Sequence, residues 1–368
     1  MLPTIGYNKG MTKDDFKLDV LAKLRDERTD TVDNIDPKKF ISTGCYALNR
    51  MITEDYSKGL PIGVLVQFKG ESSSGKSLFA SVLLGAAQKQ GCYVKLIDTE
   101  NTYSKEFGER LGVDSSKMLY STATTLEEAF EDVEQTIDKI RKLDKETPII
   151  IALDSLSVLP TREEYGRPDL SEMKNTDGAR ANIVYNKILR RLCSKLASND
   201  ATLIVINQVR TDIMSKYGND KDASGGRALK FYLSVDVKTI ASKSTHLFDS
   251  NKKPIGIAGK LRLEKNKIKP ALIECDFRAF YDRGLDPYFG LTDYLVQDGY
   301  ITKSSAGRTS IGDLKFAKAK FTSILLDFSY TEPKLEEIRT LLGLTKENVD
   351  SRFLIDPDSE ESTGESDD

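Results

Sequence analysis

Apolar positions along this chain fall into two alternating spacings. Residues 62–68 form a short, nearly continuous apolar stretch that predicts a buried strand. Residues 77–90 then carry Leu78, Phe79, Val82, Leu83 and Ala86 at helical spacing, and Gly91 marks the stop. A second strand is expected over 93–97. Thr125, followed three residues later by Glu128, has the form of a capping box for a helix running towards Lys142, and 148–153 reads as another buried strand. A helix over 179–197 leads into a strand over 201–206. Helices alternating with short apolar strands predict an α/β fold with a mostly parallel, doubly wound sheet. Strands expected near 231–239, 259–264 and 271–278 have no long helices between them, so the sheet should end in an antiparallel region. Ahead of it all, Phe16, Leu18, Val20, Leu21 and Leu24 suit one short amphipathic helix in an amino-terminal appendage.

With 368 residues the chain can bury one large core and keep material for a small second domain. The longest apolar runs are too short to span a bilayer, and residues 1–10 lack a basic patch followed by an apolar stretch, so no membrane segment and a cytoplasmic location are expected. Cys45, Cys92, Cys193 and Cys275 show no metal-site spacing and read as thiols in a reducing compartment. The net charge of −3 argues against a nucleic-acid partner until its distribution is considered. Seven acids and no base occupy 356–368, so residues 1–355 carry +4. That tail is either a disordered solubilising end or a tethered polyanion competing with phosphates for a basic surface.

The candidate chemistry begins where the first strand ends. Gly70, Glu71, Ser72, Ser73, Ser74, Gly75, Lys76 and Ser77 fit the phosphate-binding pattern GxxxxGK[ST], between an expected strand and an expected helix. In such a loop backbone amides and a helix amino terminus surround the phosphates, Lys76 neutralises their charge and Ser77 ligates magnesium. Asp154, closing the apolar run 149–153, is placed at the carboxyl edge of the sheet to hold the magnesium shell through water. Glu100, after Ile97-Asp98-Thr99, is the expected general base that orients water on the γ-phosphate of ATP, on a strand expected next to the P-loop strand.

Read in order, Ile41-Ser42-Thr43-Gly44, Gly59-Leu60-Pro61-Ile62-Gly63, the P-loop and Ile97-Asp98-Thr99-Glu100 resemble the RecA family of homologous-recombination ATPases. Leu111-Gly112-Val113-Asp114, Asp154-Ser155, Asn207-Gln208-Val209-Arg210, the stretch from Gly225 to Tyr232 and Lys265-Asn266-Lys267-Ile268 continue the similarity, which covers roughly residues 40–300. Gly284-Leu285-Asp286-Pro287-Tyr288 is similar to phage-encoded members.

The resemblance implies ATP and Mg2+ as cofactors. It makes Gln208 a γ-phosphate sensor, and Lys265 and Lys267 a pair reaching the ATP of a neighbouring subunit. Phe107 and Tyr281 match positions that flank adenine, and both suit core packing as well. DNA would be met by a loop over about 210–226 with Arg210, Gly225 and Gly226, by Arg227 beside it, and by a first loop over about 161–176 with Arg162 and Arg167. Lys187, Arg190 and Arg191 suit either a phosphate-facing surface or a solvated helix face. Two departures stand out: Arg227 replaces a small polar residue, and Asp236 stands where bacterial members carry a base.

These readings divide the chain into an amino-terminal oligomerisation segment (1–40), a RecA-like ATPase core (41–285), a small carboxyl-terminal α/β domain (286–355) and the acidic tail (356–368). The expected function is ATP-dependent assembly of helical homo-oligomeric filaments on single-stranded DNA, with pairing and strand exchange against homologous double-stranded DNA. Single-strand-binding and loader proteins are expected accessory partners. The alternative on the same core is a ring-forming helicase or motor, against which the Lys265–Lys267 pair argues. A small-metabolite phosphotransferase would need an arginine-bearing lid that the sequence does not offer, and Glu100, Lys76 and Asp154 disfavour a non-hydrolysing scaffold.

Overall fold

The computed structural model describes residues 39–167, 177–209, 226–241, 246–271, 273–303 and 309–353. The expected helix around Phe16 to Leu24 and the acidic tail lie outside the described residues. The described residues from Phe40 to Phe353 belong to one compact unit. β1 (Phe40–Ile41), α1 (Tyr46–Thr53) and β2 (Leu60–Pro61) lead into β3 (Leu65–Gly70), α2 (Lys76–Lys89), β4 (Tyr93–Asp98) and α3 (Lys105–Arg110). β5 (Met118–Ser121), α4 (Leu126–Leu143), β6 (Ile149–Asp154), α5 (Arg162–Tyr165), α6 (Asp177–Ser198) and β7 (Ala201–Gln208) follow. Then come α7 (Gly226–Tyr232), β8 (Val235–Ile240), β9 (His246–Phe248), β10 (Pro254–Asn266), β11 (Ile273–Phe280) and β12 (Gly284–Leu285). The last part holds α8 (Leu291–Gln297), β13 (Thr302–Lys303), β14 (Thr309–Ile311), β15 (Leu314–Phe316), α9 (Phe321–Leu326) and α10 (Pro333–Leu341).

Among the described residues ten strands form one sheet, ordered β12-β11-β10-β8-β3-β7-β6-β4-β5, with β9 attached to β10. β8, β3, β7, β6, β4 and β5 run parallel, and β9 to β12 complete the antiparallel end. Successive residues of each strand serve opposite faces. Val66, Phe68, Ile150, Ala152, Ile204 and Ile206 pack with Phe79, Leu83 and Leu84 of α2. Leu65, Ile149, Ile151, Leu153, Leu203 and Val205 pack instead with Phe130, Val133 and Ile137 of α4 and with Leu189, Leu192 and Leu196 of α6. Because both faces are covered, the strands carry the continuous apolar runs seen in the sequence. Ile301, Ile311, Phe321, Leu325, Leu335 and Ile338 of the carboxyl-terminal part join the α2 side of the core.

Several expectations are corrected. The strand expected over 62–68 starts only at Leu65, because Gly63 turns with φ 82° where its Cα approaches the backbone of Ala197. Phe231 and Tyr232 end a helix, not a strand: Leu229 and Leu233 are buried four residues apart, while Phe231 is 73% exposed. β10 extends beyond 259–264 at both ends, because residues from Gly256 onward pair with β11 and Lys265 and Asn266 pair with β8. The α4 cap forms through the Thr125 hydroxyl, but the Glu128 carboxylate reaches back to the amide and hydroxyl of Thr124, one residue early. Finally, β4 is not beside the P-loop strand, since β7 and β6 lie between them. Strand insertion of that kind is a long-range pairing that leaves no trace in local periodicity.

Candidate active site

β3, β7, β6 and β4 end at the same edge of the sheet, and their pairing decides which side chains meet there. Gly70 pairs in register with Gln208, and Asp98 with Asp154. The amide of Val209 donates to the Gly70 carbonyl at 3.1 Å, so the Gln208 strand end is fastened to the start of the P-loop. The loop needs left-handed backbone at Ser73 (φ 61°) and Gly75 (φ 92°), which turns consecutive amides inward before α2 begins. Gly70 has no room for a side chain: a Cβ there would lie 2.4 Å from Thr239 Oγ1 and 2.5 Å from Ser74 Oγ. Thr239 and Ser74 themselves share a 2.6 Å hydrogen bond that anchors the loop to β8.

Lys76 is buried in this cradle and its ammonium donates to the Glu71 carbonyl at 2.6 Å, within the curl of the loop. Burial lowers the Lys76 pKa, and the carboxylates of Asp154, Glu100 and Glu71 oppose that shift. Burial likewise pushes Asp154 up to about 6; Glu100 and Asp98 add to the rise, while the Ser77 hydroxyl bond and Lys76 offset it. A half-buried carboxylate whose charge Ser77 favours, crowded by two further acids, is a position that gains from a cation. Among the described residues no three His, Cys, Asp or Glu side chains converge as a metal site. Such a donor set fits Mg2+ shared with phosphate oxygens and water, not a closed protein cage.

Glu100 is held by groups the sequence reading did not assign. Ser155 Oγ donates to Glu100 Oε1 at 2.6 Å and shares a 2.9 Å bond with Ser157 Oγ. Thr99 and Ser155 exchange bonds through the Thr99 hydroxyl, both at 2.8 Å, and the Asp154–Ser155 peptide is cis. Asp98, buried behind them, accepts from the amides of Glu100 and Tyr103 and from the Tyr120 hydroxyl. Ser155 was legible as the neighbour of a strand-end acid, but its role depends on the β4–β6 register. Thr239 carries no local signal at all.

Lys265 and Lys267 are not at this edge. Lys265 pairs in register with Asp236 near the start of β8, whereas Gly70 pairs with Thr239. That is roughly 10 Å farther along the sheet, level with Gln67 in the middle of β3, and Lys267 lies two residues farther, level with the start of β3. The Lys265 ammonium donates to the carbonyls of Lys230 and Phe231, closing the carboxyl end of α7, and the Lys267 amide donates to the Ser234 carbonyl. Burial lowers the Lys265 pKa, with Lys267 adding to the shift and Asp236 opposing it.

Phe107 is partly buried and packs on the α2 side of the core. Tyr281 is a half-exposed turn residue whose carbonyl accepts from Arg110. Arg162, at the start of α5, donates to Glu131 of α4 at 2.7 Å, and Arg167 pairs with Glu163 at 3.3 Å. Arg190 is exposed on α6, while its neighbour Arg191 is paired with Glu134. Gly226 and Arg227 open α7; Arg210 and Gly225 lie outside the described residues. Among the described residues no helix is long and apolar enough to cross a membrane.

The model of the RecA N-terminal domain matches residues 12–286. The chain is 32% identical over 286 residues to a protein named RecA from Thermus thermophilus, covering 77% of this chain and 79% of that one. RecA of Mycobacterium ulcerans is 31% identical over 326 residues, 87% of this chain and 89% of its own, and RecA of Ureaplasma parvum is 30% identical over 296 residues, 79% and 84%. With a P-loop between β3 and α2 and acids at the ends of β6 and β4, the chain belongs to the RecA family of ATP-dependent DNA recombinases.

Proposed function

We propose that this recombinase completes its ATPase site only between neighbouring subunits of an open filament on single-stranded DNA. One observation carries the reading: Gly70, Asp154 and Gln208 close strands at one edge of the sheet with Glu100 just past the end of β4, while Lys265 and Lys267 lie away from that edge, towards the starts of β8 and β3. A head-to-tail arrangement that brings those two regions together puts one subunit's lysines on the next subunit's nucleotide, and repetition without closure makes a helix.

In this reading the P-loop amides from Glu71 to Ser77 and the Lys76 ammonium hold the phosphates, and Phe107 and Tyr281 flank the base. Ser77 and Asp154 would hold Mg2+, the latter through water; the bound ion supplies charge neutralisation at the β- and γ-phosphates. Glu100, fixed by Ser155, orients water and takes its proton. Gln208, fastened to Gly70 through Val209, senses the γ-phosphate and passes its state to the chain that follows, with Arg210, Gly225, Gly226 and Arg227 meeting DNA. Exposed Arg190 adds to that surface, and Arg162 and Arg167 join it once DNA phosphates compete with their carboxylate partners. Residues 1–40 serve oligomerisation, 41–285 the ATPase core and 286–355 a small accessory domain, with single-strand-binding and loader proteins as partners.

The test is ATP hydrolysis with and without single-stranded DNA, with electron microscopy of the same samples. Strong stimulation with open helical filaments is expected, with affinity falling steeply as salt rises. Closed rings with stimulation would favour a helicase-type motor, and hydrolysis indifferent to DNA would remove the reading.

A further inference from the structure

Asp236, the acid that stands where a base was expected, is not a surface charge. It is buried on β8 with the ammonium of Lys69 2.6 Å from its Oδ2 and the Gln67 amide 2.9 Å from its Oδ1. Lys69, only 4% exposed, also holds Glu264 of β10 at 2.7 Å, and Gln67 accepts from Asn207 of β7 at 3.1 Å. The cluster thus crosses four adjacent strands. Three of its members precede a position in the proposed site in sequence: Asn207 before Gln208, Lys69 before Gly70, Glu264 before Lys265.

Glu264 is also where the β8–β10 ladder slips, since Leu263 pairs with Val237 and Lys265 with Asp236. A bulge of this kind bends the strand and re-aims its side chains. Here it directs the Glu264 carboxylate to Lys69 and leaves the Lys265 ammonium at the end of α7. Asp236 thus ties Lys69 to the same β8 position that pairs in register with Lys265, and it favours the Lys265 charge against the opposing effects of burial and Lys267.

Resting on the reading of Lys265 as a group that serves the neighbouring subunit, we propose that Lys69 is a positioning residue for ATP hydrolysis in trans. By clamping Asp236 and Glu264 it fixes the bulge, and hence Lys265, relative to the P-loop strand of its own subunit. The strand that carries one nucleotide site thereby sets the placement of the lysine offered to the next.

Mixed filaments of full-length variants test this. Lys265→Met/Lys267→Met subunits keep intact nucleotide sites but lack the lysines; Glu100→Gln subunits keep the lysines but lack the base. Neither is expected to hydrolyse ATP alone, and mixing is expected to restore DNA-stimulated turnover. If mixing restores nothing, the reading of the lysines fails and the proposal falls with it. Lys69→Met is then placed only in the Glu100→Gln subunit, whose own turnover does not matter. The restored kcat is expected to fall by about tenfold while KM for ATP changes by less than about twofold, and Lys69→Arg should recover most of the loss. A general structural defect confined to a subunit that hydrolyses nothing, but still binds DNA and co-assembles, would leave the kcat of its neighbour unchanged. Should Lys69→Met fail to fold, Glu264→Met in the same subunit keeps the Lys69–Asp236 pair and breaks only the tie to the bulge. Restored turnover unaffected by whichever of these variants folds would overturn the proposal.

Discussion

The hydroxyl of Ser155 donates to Oε1 of Glu100 at 2.6 Å, joining the ends of β6 and β4 through side chains where their backbones are already paired. In the proposed site, the carboxylate that would meet water is thus aimed by the residue following the acid assigned to the magnesium side. Glu100→Gln is expected to retain ATP and DNA binding while kcat falls by about 100-fold or more, the usual contribution of a general base. Ser155→Ala keeps the base but frees its rotamer, so kcat should drop by about tenfold with KM for ATP little changed. Steady-state kinetics on both variants decides it; normal turnover by Glu100→Gln would show that the base lies elsewhere.

Lys76 is the cation buried in the P-loop curl, and its donation to the Glu71 carbonyl shows how easily its ammonium reaches the loop interior. Lys76→Ala is expected to abolish nucleotide-dependent filament assembly without unfolding the chain, because burial already disfavours the ammonium that is removed and Asp154, which loses a nearby cation, can take up a proton. Loss of filaments in electron micrographs with unchanged thermal melting would bear this out. ATP-dependent filaments from the variant would count against it.

What the sequence disclosed and what it concealed divide by range of interaction. The P-loop, α2 and the acid at Asp154 were legible because glycines, a phosphate motif and apolar periodicity are local signals. The insertion of β7 between β3 and β6 was not, nor was the anchoring of Ser74 by Thr239, 165 residues away. The same holds for the cluster at Asp236: its partner Lys69 lies 167 residues earlier, inside what reads locally as an apolar strand. Phe231 misled in the other direction, since an aromatic in a β-prone stretch belongs to a helix that leaves it in solvent.

Arg339 is 1% exposed and its guanidinium donates to the carbonyls of Leu325, Tyr330 and Asp327, stacking 4.4 Å over Phe328 and pairing with Glu336. It satisfies the end of α9 and the turn after it from the side of α10. Arg339→Leu leaves those buried carbonyls without donors and should cost about 3 kcal/mol. Urea denaturation would register that loss, and a cost under about 1 kcal/mol would mean water replaces the guanidinium.

Asp298, after α8, accepts from Arg50 of α1 at 2.9 and 3.1 Å and from the Tyr56 hydroxyl at 2.6 Å. The Arg50 bond above all lowers its pKa, with Tyr56 assisting against the opposing effect of burial. A depressed carboxylate stabilises the folded state at any pH above its unfolded value of about 3.9, and that contribution is lost as pH falls through the folded value. Asp298→Asn is therefore expected to cost about 1 kcal/mol at neutral pH, the size of a partly screened ion pair, and the gap to the parent protein should close below about pH 4. A pH-independent difference between the two denaturation curves would show that the hydrogen-bond geometry matters and the charge does not.

Lys265 and Lys267 give the sharpest separation between binding and chemistry. Lys265 stands about 10 Å along the sheet from the Gly70 register and Lys267 farther still, so neither is expected to contribute to nucleotide affinity in an isolated subunit. Lys265→Ala and Lys267→Ala should bind ATP like the parent protein when unassembled. In filaments on DNA their kcat should fall by about 100-fold, the scale of a removed transition-state cation. Lys265→Ala is the harsher of the two for structure, since its ammonium also closes the carboxyl end of α7 at Lys230 and Phe231. Lys265→Arg keeps that charge on a longer, forked group and should restore α7 more fully than turnover, because a planar guanidinium and a compact ammonium do not occupy the same point. Equal loss of ATP binding in unassembled subunits would place the lysines at their own chain's nucleotide and remove the case for a shared site.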